Sequence, residues 1–174
     1  MRQLTHILTA AALLSSAAFA ASSNTSVSTS ATKPAVALGA LSAVNGSDGA
    51  VASISFGSGA LTKNQETDAS SLLKFKLASY DNAVSGQSFT LSFGLPSVTG
   101  YTFKYKLDGA GTSSSVANLT GTLAAGSSSS AVYVGSGAAA ADNASATSVL
   151  FTVTADGTAS TDLSGNITVT ITAN

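Results

Sequence analysis

The chain is 174 residues long with a net charge of −1, and only 9% of its positions are charged, against about 25% in ordinary domains. It has no Cys or Trp, and its single His (His6) and single Met (Met1) lie in the first few residues. Beyond Arg2, six lysines and eight acids are scattered singly, so there is no basic stripe for nucleic acid, no soft-ligand metal set and no imidazole general base.

The N-terminus reads as a secretory signal over residues 1–20. Arg2 opens it, apolar residues follow over 7–14 and 17–19, and Ala18-Phe19-Ala20 gives the small-x-small pattern that precedes cleavage. The apolar run is interrupted by Ser15 and Ser16 and is shorter than the roughly 20 residues of a membrane span. Export across a bacterial envelope is expected, with no membrane span in the mature chain. No disulfide can staple the fold, so its stability must come from packing.

Residues 21–34 form an extension of Ser, Thr, Asn, Ala and one Val, closed by Lys33-Pro34. Thr25, Val27, Thr29 and Ala31 share one face of an extended chain, with Ser26, Ser28, Ser30 and Thr32 on the other. β-Branched side chains on the first face suit a pleated surface. Two readings stand: a disordered tail, or a strand added to the open sheet edge of another subunit.

From residue 35 onward the chain alternates with period two, the pattern of half-buried strands. Weaker segments at 35–41 and 50–56 come first, separated by the turn signals Asn45-Gly46 and Asp48-Gly49. Leu73, Phe75 and Leu77 then alternate with Lys74 and Lys76, and after the turn signal Asp81-Asn82 come Phe89, Leu91 and Phe93. Tyr101, Phe103 and Tyr105 follow, then Asp108-Gly109, then weaker segments at 116–123 and 131–134. Val149, Phe151 and Val153 precede Asp156-Gly157, and Ile167, Val169 and Ile171 follow Ser164-Gly165-Asn166. The stretches 110–115 and 126–130 read as Ser/Gly loops. No window beyond the signal has helical spacing. About eight or nine short strands between turns predict one all-β domain over 35–174, a β-sandwich.

The extension Asn24-Thr25-Ser26-Val27-Ser28-Thr29-Ser30-Ala31-Thr32-Lys33-Pro34, the start Val36-Ala37-Leu38 leading into Ala43-Val44-Asn45-Gly46-Ser47, and the ending Leu163-Ser164-Gly165-Asn166-Ile167-Thr168-Val169-Thr170-Ile171-Thr172-Ala173 resemble major subunits of chaperone–usher fimbriae of the colonisation-factor (alpha) type. The order of parts matches over most of the mature chain, and residue-level likeness is confined to the two ends. The resemblance implies an incomplete immunoglobulin-like sandwich on the bacterial surface. A periplasmic chaperone would complete it first, and an outer-membrane usher would then pass it into a homopolymer. Carried over residue by residue, Thr25, Val27, Thr29 and Ala31 are the donor-strand positions entering the neighbour's groove. This extension departs from the family pattern in having Ser where bulkier side chains would plug more deeply. The ending also resembles spore-coat-U-like secreted sandwiches, which keeps open a monomeric module binding glycan or matrix. One domain's length favours a shaft subunit over a two-domain adhesive tip.

No catalytic, metal or cofactor site is expected. Ser71-Leu72-Leu73-Lys74 matches S-x-x-K, but strand alternation puts Ser71 and Lys74 on opposite faces. Asp142, Asp156 and Asp162 lack the dense spacing of a calcium loop and read as turn residues bonded to their own backbone. Glu66 and Asp68 fall in a polar segment, 63–68, that reads as an exposed loop. Tyr101, Phe103 and Tyr105 read as one buried strand face.

Overall fold

The computed structural model describes residues 20–22, 36–58, 60–82, 87–159 and 163–174. Strands are the only regular elements among them: β1 (Ala20–Ser22), β2 (Val36–Leu38), β3 (Leu41–Val44), β4 (Glu66–Asp68), β5 (Lys74–Leu77), β6 (Tyr80–Asn82), β7 (Ser88–Gly94), β8 (Tyr101–Leu107), β9 (Ser114–Ser115), β10 (Leu119–Thr122), β11 (Gly126–Ser128), β12 (Val132–Val134), β13 (Gly137–Ala138), β14 (Val149–Ala155) and β15 (Thr168–Ala173). No helix among the described residues is long and apolar enough to cross a membrane.

One layer is a five-stranded sheet in the order β1-β15-β7-β10-β13. Its long central pair, β15 against β7, is antiparallel and runs from Thr168↔Gly94 to Ala173↔Phe89. The opposing layer is built from β4-β14-β8-β9 and from the two three-stranded sheets β11-β6-β2 and β12-β5-β3. The last two share a ribbon. Val36↔Asn82 and Leu41↔Leu77 belong to the same register, and Gly39 N donates to Ser79 O, and Ala78 N to Ala40 O, at 2.8 Å across the break. A bridge between Leu73 and Val149 ties this ribbon to β14.

The layers close on a main apolar core, with a smaller cluster of Val44, Tyr133 and Ala146 beside it, which makes the protein a β-sandwich. The partly buried Phe93 on β7 packs against the main core, with ring centroids 5.7 Å from Phe75, 5.5 Å from Phe151 and 6.5 Å from Tyr105. Phe75, Leu77, Phe89, Leu91, Val149, Phe151, Val169 and Ile171 are fully buried, each contributing about 1.5–3 kcal/mol relative to exposure. These are the residues whose alternation predicts the strong strands, while Lys74 and Lys76 take the outer face of β5 as expected.

Several expectations are revised. The segment 50–56 forms only isolated bridges, Val44↔Ala50 and Phe56↔Ala69. It crosses between sheets, with Val51 N donating to Ala43 O (2.9 Å) and Ser55 N to Ser70 Oγ (3.1 Å), so no single ladder claims it. Asp81-Asn82 is no turn: both lie in β6, and the fully buried Asn82 donates Nδ2 to Leu123 O (3.3 Å) and Ala124 O (3.0 Å). Glu66–Asp68, read as a loop, is paired to Val153 and its neighbours as β4. The Ser/Gly stretches also hold strands β9 and β11, paired to β8 and β6. The regular structure is therefore more broken than eight or nine strands. Asp108-Gly109 does turn the chain, with both residues at positive φ and Ala110 N donating to Leu107 O (3.2 Å), as hairpin turns of Asp-Gly do.

Candidate functional site

The last strand has one outer edge, and the N-terminal segment reaches it. Ala20, Ala21 and Ser22 pair antiparallel with Thr170, Val169 and Thr168, and β1 also runs alongside β3. Among the described residues no other strand pairs with this edge beyond Thr170. An unpaired row of backbone donors and acceptors is a template for another strand.

Just before β15 that edge opens into a cleft of about 840 Å³. One wall is the approach to β15, from Leu163 to Ile167; the other includes Ile54 and Phe56 of the unpaired 50–56 segment. Tyr101 and Phe103 of β8 floor it. Both are half-buried, unlike the buried Tyr105, so the expectation of one buried aromatic face holds only at Tyr105. Phe103 meets Phe56 edge-on at 5.9 Å, which fixes the floor against the wall. Ser164-Gly165-Asn166 makes no turn. Gly165 has φ +147°, and a Cβ there would lie 2.5 Å from Pro96 Cβ, so this stretch of wall carries no side chain.

The rim is polar. Asp156 accepts from the Thr158 hydroxyl (2.6 Å) and backbone N–H (2.7 Å). These bonds, with the charge of Lys63, hold its carboxyl below its ordinary pKa. Asp142 is likewise lowered, chiefly by the N–H of Ser145 (2.8 Å) and then by its hydroxyl. Both are turn aspartates bonded to nearby backbone, as expected; Asp162 lies outside the described residues. Among the described residues no three His, Cys, Asp or Glu side chains gather to hold a metal.

A second polar cluster lies on the ribbon. Asp48 accepts from Lys76 Nζ (2.5 Å) and the Tyr133 hydroxyl (2.6 Å). The Lys76 and Tyr133 hydrogen bonds depress the Asp48 pKa, while Asp48 raises those of Lys76 and Tyr133. Lys74 is held by the backbone carbonyl of Asn143 and by its Oδ1 (3.1 Å); Ser71 lies in a bend before β5. On β4, Glu66 and Asp68 bind Lys106 at 3.5 and 2.7 Å.

Thr25, Val27, Thr29 and Ala31, the expected donor-strand positions, lie outside the described residues. The cleft is not legible in the sequence, because its walls come from segments far apart in the chain. The alternation at 50–56 and the aromatics of β8 were its only visible signals. No family model, curated protein or solved structure matches this chain.

Proposed function

We propose that the chain is a structural subunit of a surface fibre. It is exported through its N-terminal signal and polymerises when the N-terminal extension of one copy adds as a strand to an open sheet edge of the next. In this reading the sandwich is immunoglobulin-like and incomplete, a chaperone and an usher handle it during export, and no cofactor is required. The observation that carries the reading is the pairing of Ala20–Ser22 with the outer edge of β15. That strand straddles the expected cleavage point, so removing residues 1–20 takes away Ala20 and leaves β15's edge short of a partner. Strand addition at such an edge supplies main-chain hydrogen bonds, with side chains setting specificity.

Deleting residues 21–33 behind an intact signal tests this. The expected outcome is an exported subunit that no longer forms filaments, whether it persists as a monomer or is degraded. Filaments of normal length from the deletion variant would exclude strand addition by this segment.

A further inference from the structure

We infer that Asn45 is a site of spontaneous covalent modification in the folded protein. The Asn45-Gly46 turn closes into a succinimide, loses ammonia and opens to aspartate or isoaspartate. The isoaspartyl product loosens the cluster of Asp48, Lys76 and Tyr133.

Asn45 is the only asparagine followed by glycine; the others precede Thr, Gln, Ala, Leu or Ile, or end the chain. A side chain at the following position crowds the peptide nitrogen that must attack the carboxamide. Gly46 has none, is exposed, and a Cβ built on it would meet nothing within 4 Å. Its N–H donates to no group among the described residues, so no hydrogen bond has to break before its proton leaves.

The carboxamide is held for that attack. Asn45 Oδ1 accepts from Ser47 N and Gly49 N, each at 2.9 Å, the side-chain-to-backbone bonding of an Asx turn. As Gly46 N adds to Cγ, negative charge grows on Oδ1, where these two donors already point. They stabilise it as an oxyanion hole does.

Gly46 N gives its proton to solvent base and bonds to Cγ. The Cγ–Nδ2 bond breaks, and the amide nitrogen takes up a proton and leaves as ammonia. Water then opens the ring. Addition at Cγ leaves aspartate, whereas addition at the main-chain carbonyl leaves isoaspartate, with the chain running through the former side chain.

The isoaspartyl chain is longer by one methylene, and the old Asn45 carbonyl becomes a free carboxylate. That carbonyl accepts from Asp48 N (3.1 Å) and Asn143 Nδ2 (3.0 Å). Both bonds anchor the turn that presents Asp48 to Lys76 and Tyr133, so rebuilding it draws Asp48 away from them.

The secreted mature chain, held folded in mildly alkaline buffer, is expected to release ammonia and gain a more acidic form, faster as pH rises. Peptide mapping should place aspartate and isoaspartate at residue 45. Isomerisation of the neighbouring Asp48-Gly49 releases no ammonia, so the two reactions are told apart. Gly46→Ala, whose Cβ has open space, is expected to melt with the parent and convert several-fold more slowly. Asn45 that stays an amide in the folded chain, over the time in which the urea-unfolded chain converts, overturns the inference. Conversion of Gly46→Ala at the parent's rate overturns the attack by Gly46 N. The purified isoaspartyl form is expected to melt below the parent, whereas Asn45→Asp, whose carboxylate accepts the same two N–H bonds, melts with it. An isoaspartyl form that melts with the parent overturns the loosening of the Asp48 cluster.

Discussion

Thr152 shows how a single residue records the sandwich. It is fully buried in the middle of β14, and its hydroxyl has no hydrogen-bond partner among the described residues. The ion pairs from Lys106 on β8 to Glu66 and Asp68 on β4 cross β14 over this face. A buried hydroxyl left unpaired costs about 1–3 kcal/mol. Thr152→Val keeps the β-branched shape and removes that cost. The expected result is a gain near 1 kcal/mol, which in a domain of this size raises Tm by about 2–4 °C, read by thermal melts. A comparable fall in Tm would mean the hydroxyl is satisfied. None of this was legible in the sequence, where Thr152 alternates as an ordinary outward-facing strand residue. Asn82 misleads in the opposite direction: Asp-Asn signals a turn, yet its carboxamide is needed inside to bind the carbonyls of Leu123 and Ala124.

Elements announced by bulky alternation were readable: β5, β7, β8, β14 and β15 each place large apolar side chains at every second position. The short strands β4, β9, β11 and β13 were not. Their Ser, Gly, Thr and acidic residues show no apolar period, and the neighbouring ladder imposes their extension. The segment 50–56 teaches the converse, since alternation reports a buried face and not a paired edge. At this scale the Asp48 cluster clamps the turn after β3 to β5 through Lys76 and to β12 through Tyr133. Asp48 has its folded pKa below the ordinary value. Its stabilisation is therefore present above about pH 4 and is lost as pH falls through the depressed value. Lys76 and Tyr133 are raised, so their contribution is present below about pH 10 and is lost as pH climbs through the raised values. Denaturant melts across pH are expected to show Asp48→Asn flattening both limbs. A variant that keeps the parent's pH profile would exclude the clamp.

For the molecule as a whole, the period-two alternation sufficed for an all-β sandwich, because it gathers the bulky apolar residues on one face of each strand. The cleft was hidden: its walls are drawn from the 50–56 segment, β8 and the approach to β15, and only folding brings these together. The fibre reading joins the two ends of the chain, the extension as donor and the outer edge of β15 as acceptor. Strand-linked polymers need no covalent bond, and a chain without Cys has no disulfide to make one. Negative-stain electron microscopy of sheared surface material, paired with an unboiled denaturing gel, tests this most directly. Thin filaments with a ladder of subunit multiples that collapses on boiling are predicted. A single monomer band and no filaments, from cells shown to secrete the protein, would contradict the account and point to a stand-alone binding module.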